Sequence, residues 1–334
     1  MNTIYRVLIA SLLCLASSYA QSSSGGGNIQ GTVKDSTGGH IAAAKLTLVH
    51  VETGETTRAL ANADGYFTSP PIKIGAYKIR AEHPGMKAWE TNVNLEVGKI
   101  LEVDPVMTAG SVTETIQVTE TIPLVTMTDP TEATTLDAKR IKELPINGRS
   151  LNSLLEDVTP GVEQVIDVNG GVRTGGLMVY STEFVQDGAP ANNREFGGSM
   201  NQQGLDSIGE VRVETSTSSA KYQSPTSVIV TTKSGTNAIH GSLYETARNN
   251  AVGVARARQD ISFTTLYRTP KLIRNEFGGS IGGPVFLPSF GINGKKLYDG
   301  RNRTFFFVNR EGTELVEGVT KSFSVPTKAM RGGD

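Results

Sequence analysis

VIVTTKSGTNAIHGSLYETARNN, from Val228 to Asn250, decides how the chain is divided. Val228 to Thr232 is β-branched throughout and predicts a buried strand. Lys233-Ser-Gly-Thr-Asn237 supplies a turn, and His240 to Arg248 reads as a second strand. The second strand alternates imperfectly, because Gly241, Leu243 and Ala247 share a parity with Glu245. A core strand thus runs into a strand of different character, and the turn between them marks a domain boundary.

The chain has 334 residues, with 32 Lys and Arg against 33 Asp and Glu. A near-neutral chain without a basic patch argues against nucleic acid as a partner. Its 37 glycines and frequent Thr, Ser and Val favour strands and turns, so the expected fold is mainly β. The single cysteine, Cys14, lies in the first twenty residues. There Arg6 precedes an apolar run from Val7 to Ala16, and Ser18-Tyr19-Ala20 fits a cleavage site. The run is shorter than the roughly 20 residues that span a bilayer, so residues 1–20 are expected to be a signal peptide. The mature chain would be exported and free of cysteine, which excludes a disulfide, a thiolate metal site and a cysteine nucleophile.

Residues 21–27 form a Ser/Gly linker. Between Asn28 and Met107, short alternating segments are separated by turn signals. Ile29, Gly31 and Val33 share one face, as do Leu46 and Leu48, Ile79 and Ala81, and Val93, Leu95 and Val97. Leu101, Val103 and Val106 close the series. About seven strands in this span predict a β-sandwich. Gly31-Thr-Val-Lys-Asp35, Ala63-Asp-Gly-Tyr-Phe67 and Gly75-Ala-Tyr-Lys-Ile79 resemble the carboxypeptidase regulatory-like family. That resemblance implies a transthyretin-like, carbohydrate-binding-like fold without peptidase chemistry. His40, His50, His83 and His240 show no metal-ligand spacing and read as surface or turn residues. No nucleophile elbow or Ser-His-Asp set is present, and Gly278–Gly283 lacks phosphate-loop spacing, so neither an enzyme nor a cofactor site is expected.

Thr108-Ala-Gly-Ser111 breaks the pattern, and Val112 to Glu120 reads as one extended segment. Within the 108–120 region, Thr115, Ile116, Gln117, Val118 and Thr119 look like a TonB box, the peptide a periplasmic energy transducer grips by strand addition. Thr115 to Val118 also fit the first strand of the next domain.

From 121 to 237 an α+β domain is predicted. Leu136 to Leu144 reads as a helix stopped at Pro145, and Leu151, Leu154, Leu155 and Val158 as the core stripe of another. Gly170-Gly171 and Gly175-Gly176 flank a short Val172–Thr174 segment. Thr182–Gln186, Ile208–Thr215 and Val228–Thr232 read as strands, and Asn192–Gln203 as a polar loop. Leu144-Pro-Ile-Asn-Gly-Arg-Ser150, Thr159-Pro-Gly-Val162, Gln186-Asp-Gly188 and Thr231-Thr-Lys-Ser-Gly-Thr-Asn237 resemble the plug of Oar-type TonB-dependent receptors. Ala220-Lys-Tyr-Gln-Ser224 departs from that family, which usually carries an acidic, Gly-containing version. The resemblance implies a plug at 121–237 and barrel wall from 238 to 334. Arg274 to Phe286 and Arg303 to Leu315 suit wall strands with lipid and lumen faces and girdle aromatics. The 97 residues from Ala238 would supply only three or four of the about 22 strands of such a transporter, so an N-terminal fragment with an incomplete barrel is expected.

The implied function is energy-coupled uptake across the outer membrane. The partners would be a TonB-type transducer, outer-membrane lipid and a saccharide or metal-chelate substrate. An exported carbohydrate-binding or surface-interaction module is the alternative, with Tyr66, Phe67, Tyr77 and Trp89 as stacking candidates.

Overall fold

The computed structural model describes residues 25–110, 115–117, 131–144, 146, 148–164, 171–193, 198–199, 203–216, 222–252, 271–287, 298–318 and 324–333. The expected signal peptide, together with Val118, Thr119, Pro145, Asn147 and Lys221, lies outside them. Two compact units are present: residues 1–240 with 281–308, and residues 241–280 with 309–334.

The fold is mainly β. In the N-terminal region, β1 (Asn28–Thr32), β2 (Lys34–Asp35), β3 (Lys45–His50), β4 (Thr56–Leu60) and β5 (Tyr66–Thr68) come first. They are followed by β6 (Gly75–Glu82), β7 (Ala88–Leu95), β8 (Ile100–Glu102) and β9 (Val106–Met107). One sheet runs β5-β1-β8, the facing sheet contains β7-β6-β3-β4, and β2 pairs with β9. Ile29, Phe67 and Leu101 of the first sheet pack on Leu46, Leu48, Ile79, Trp89 and Leu95 of the second, giving a sandwich core. The seven expected strands appear as nine because Val33 and residues 103–105 interrupt two of them. The second interruption preserves odd parity across Pro105, so Met107 is buried and Val106, expected inside, is exposed.

His50 corrects another expectation, since it is buried instead of lying on the surface. It ends β3, and its ring sits edge-on to Tyr77 with centroids 5.0 Å apart. Nε2 donates to the Ile74 carbonyl (3.0 Å) and Nδ1 accepts from the Thr53 hydroxyl (2.9 Å), which fixes the tautomer consistent with this network. Gly75 makes room for the ring: with φ at +126°, a Cβ there would stand 2.7 Å from Nε2.

After β10 (Thr115–Gln117), the α+β region is built on β11 (Glu132–Asp137) and two helices, α1 (Ala138–Glu143) and α2 (Leu151–Val158). Short β12 (Val162–Gln164) pairs with β13 (Val172–Thr174). Next come β14 (Thr182–Gln186), β15 (Ala189–Pro190), β16 (Asn192–Asn193), β17 (Gly198–Ser199), β18 (Ile208–Ser216) and β19 (Thr226–Thr232). The five-stranded sheet has the order β11-β18-β19-β14-β15. β19, the first strand of the boundary stretch, lies at its centre, antiparallel to β18 and parallel to β14.

The helix expected from Leu136 starts later. Leu136 pairs with Val211 as part of β11, and the Asp137 carboxylate caps α1 by accepting from Arg140 N (2.7 Å). Helix α2 forms as read, with Ser150 as its N-cap and Leu151, Leu154 and Leu155 buried. Part of the expected polar loop pairs instead as the β16–β17 hairpin.

Beyond the boundary turn come β20 (His240–Asn249), β21 (Leu272–Pro284), β22 (Phe286–Leu287), β23 (Tyr298–Asp299) and β24 (Phe305–Glu317). β20, β21 and β24 form an open three-stranded sheet in that order, and β22 pairs with β23. The parity read from sequence holds at Glu276, which is buried, beside Phe277, which is 44% exposed.

Candidate functional site

Of the residues singled out for partner contact, the three that are described are held by backbone pairing. Thr115, Ile116 and Gln117 form β10, aligned parallel to Ala88, Trp89 and Glu90 of β7. The segment therefore extends the sheet of the preceding sandwich to β10-β7-β6-β3-β4 and is not the first strand of the following domain. The lead-in is also bonded to the sandwich. Lys87 N donates to Thr108 O (2.8 Å), Gly110 N donates to Gly85 O (3.1 Å), and Met86 forms an isolated bridge with Ala109.

The strand that receives β10 is firmly seated. Trp89, Val93 and Leu95 of β7 point into the sandwich core. Alternation puts Ala88 and Glu90 on the other face. Glu90 is buried there, and its carboxylate accepts from Lys78 Nζ (2.8 Å) and Arg80 Nη1 (2.7 Å). The hydrogen bond from Lys78, then that from Arg80, holds the Glu90 carboxyl below its ordinary value. The β7 edge is thus a rigid template whose outer backbone groups are covered by β10.

A second cluster lies where sandwich turns meet the five-stranded sheet. Val97 N donates to Glu210 Oε2 (3.2 Å), Thr231 Oγ1 donates to Gly25 O (3.1 Å), and Asn237 N donates to Glu52 O (3.0 Å). A Cβ on Gly98, whose φ is +68°, would stand 3.0 Å from Ile229. Covered in this way, Glu210, Arg212 and Glu214 of β18 are buried. Arg212 Nε contacts Glu214 Oε1 (3.1 Å), and Glu214 Oε2 accepts from Ser227 Oγ (2.9 Å). Burial pushes the Glu210 carboxyl up to about 7, against the lowering by the Val97 N–H; Glu96 and Asp137 raise it further, while Arg212 lowers it. Sequence alternation had separated these side chains from Val211 and Val213 but gave no sign of what covers them.

The strands after the boundary show a different surface. Leu243 of β20 is 92% exposed, and on the same side Phe277 and Ile281 of β21 and Val308 and Val316 of β24 are exposed as well, while exposed Leu315 lies on the other face of β24. Isolated exposed apolar residues are ordinary, but repeated ones along strands suit a lipid-facing side. In the sandwich, by contrast, Phe67, Tyr77 and Trp89 are core residues. Of the stacking candidates Tyr66 alone is exposed, with its hydroxyl on Gln30 Oε1 (3.0 Å). Among the described residues, no group of three His, Cys, Asp or Glu could hold a metal ion.

Comparison with known proteins divides the chain along the same lines. Residues 28–108 match the carboxypeptidase regulatory-like domain. Residues 231–334 match an outer membrane beta barrel domain, beginning within the boundary stretch. No curated protein matches the chain. Similar solved structures include the siderophore receptor PirA from Pseudomonas aeruginosa (18% identity, TM-score 0.32, covering 47% of this chain and 26% of the receptor). The ferric enterobactin receptor PfeA is similar at 19% identity and TM-score 0.32, over 46% of this chain and 22% of that one. Catechol 1,2-dioxygenase from Pseudomonas arvilla C-1 aligns at 12% identity and TM-score 0.23, over 27% of this chain and 54% of the enzyme. The chain thus spans less than two thirds of these proteins. A match to the carboxypeptidase regulatory-like domain is thus followed, in the same chain, by a match to an outer membrane beta barrel domain.

Proposed function

We propose that this chain carries the periplasmic sandwich, the plug and the first wall strands of a TonB-dependent outer-membrane receptor. The supporting observation is the order of parts. A regulatory-like sandwich, a five-stranded α+β domain and a barrel match follow one another, with the barrel match starting at Thr231, at the end of the plug's central strand. In this reading residues 121–237 occlude the pore, Thr115 to Thr119 bind a TonB-type transducer by strand addition, and pulling on that segment opens a path for a saccharide or metal-chelate substrate. The buried Arg212–Glu214 ion pair of β18 and the backbone-mediated contacts of this domain with Gly25, Glu52 and Val97 would give the plug one defined resting state.

The test is cysteine cross-linking in cells. Gln117→Cys in the Cys14→Ser chain should form an adduct with a cysteine-bearing TonB-type protein, and the adduct should fractionate with the outer membrane. Recovery of the chain from the soluble periplasm without any such adduct would sink the receptor reading.

A further inference from the structure

We infer that the sandwich is a holding site for the coupling segment, so that β7 and the transducer compete for the same strand. This inference rests on the receptor reading and adds a regulatory step to it. Its basis is the parallel register of Thr115, Ile116 and Gln117 on Ala88, Trp89 and Glu90. A peptide recognised through strand addition is read by its backbone groups, and here the groups along one of its two edges already have a partner in the same chain. Without β10, β7 would present an open edge, which proteins commonly cover.

The connection favours this self-pairing. Thr108 and Gly110 are bonded to Lys87 and Gly85 beside the start of β7, leaving residues 111–114 as the link to β10. So short a tether sets an effective concentration on the order of millimolar, against which a separate transducer must compete. If the segment is free in one molecule in ten, the transducer's apparent affinity falls about tenfold below that for the isolated peptide. The sandwich then acts as a threshold: coupling begins when β10 leaves β7. A transducer strand added to the outer edge of β10, with β7 still paired, is the rival geometry.

A disulfide lock separates the two. Thr115 and Ala88 are register partners, and neighbouring strands bring Cα atoms within the roughly 4.4–6.8 Å a disulfide spans. Ala88 lies on the face of β7 opposite Trp89, so a cysteine there stays out of the sandwich core. In the Cys14→Ser chain, Thr115→Cys with Ala88→Cys should oxidise readily. Binding of a purified TonB periplasmic domain should drop at least about tenfold in the oxidised form and recover with reductant. In the unlocked chain, binding should also speed hydrogen exchange of amides in residues 88–90 as β7 loses its partner. Failure of the disulfide to form, equal binding by oxidised and reduced forms, or unchanged exchange at 88–90 would overturn the holding role. A free peptide of residues 112–120 distinguishes the two readings. If it binds the transducer while the lock has no effect, only the holding site fails; if neither it nor the reduced chain binds, the coupling role of the segment fails and the holding role with it.

Discussion

The sandwich and the five-stranded domain use strands of similar composition in opposite ways. In the sandwich, β3 and β6 alternate between buried and more exposed residues, because each sheet has one face on the core and one toward solvent. In the five-stranded α+β region, β18 and β19 are buried along most of their length on both faces. The apolar residues Val211, Val213, Val228 and Val230 join the core there, while Glu210, Arg212 and Glu214 are enclosed among polar partners. The lesson is that alternation reports which residues share a face, whereas the cost of changing them depends on what lies over that face. A half-exposed polar side chain can be replaced cheaply; an enclosed one leaves its partner stranded.

Substitutions on both sides of this contrast test it. The largest losses should come from the aromatic cores, where the regions ought to behave alike. Phe67→Ala and Phe184→Ala, both at fully buried positions, should each cost about 3–5 kcal/mol in denaturant unfolding. A loss under 1 kcal/mol at either would mean that its core is not packed as described. The polar faces should then separate the regions. Arg212→Ala strands Glu214 in a buried pair and should cost about 3–5 kcal/mol. Arg80→Ala in the sandwich, at a side chain 37% exposed, leaves buried Glu90 paired with Lys78 and should cost only about 1 kcal/mol. Equal costs would remove the distinction.

Glu210 gives the contrast a pH dependence. Its carboxyl in the folded chain titrates at about 7, above its ordinary 4.5. The protonated form therefore suits the fold, and the associated stability is complete below about 4.5 and lost as pH rises through about 7. Glu210→Gln keeps an acceptor for the Val97 N–H without the charge. It should raise stability at pH 8 relative to the parent by roughly 1–3 kcal/mol, with the difference vanishing near pH 4. Melting curves of both chains across that range decide it; a variant less stable than the parent at pH 8 would show that the carboxylate is favoured there. The smallest effect belongs to the exposed pair Lys34–Asp104, separated by 3.5 Å. Lys34→Ala should change stability by less than about 0.5 kcal/mol, and a larger change would place that edge under tighter constraint than its exposure implies.

Much of the fold was legible from side-chain period alone. Ile29 and Val33, Leu46 and Leu48, and Ile79 and Ala81 are buried as their alternation required, and α2 buries the leucine stripe read from its spacing. The departures arise where a neighbour overrules local pattern. Leu136 looked helical but is drawn into β11 by pairing with β18, and His50, polar and beside a turn, is enclosed because Ile74 O and Thr53 satisfy its ring. At the candidate site, sequence marked Thr115 to Thr119 as an extended, peptide-like segment. It could not say which edge the segment would join, since strand addition is made by backbone groups that every residue carries.

The stretch from Val228 to Asn250 shows the same division. By itself the sequence determined a buried strand, a turn and a second strand of different character, because β-branching and turn chemistry are local properties. The place of the first strand at the centre of a sheet closed on both faces, and of the second in a different, open sheet, comes from long-range packing. So does the pairing of Thr115 to Gln117 with β7 of the sandwich. Each of these outcomes depends on which distant surface arrives to cover a strand, and that is fixed by the packing of the whole chain.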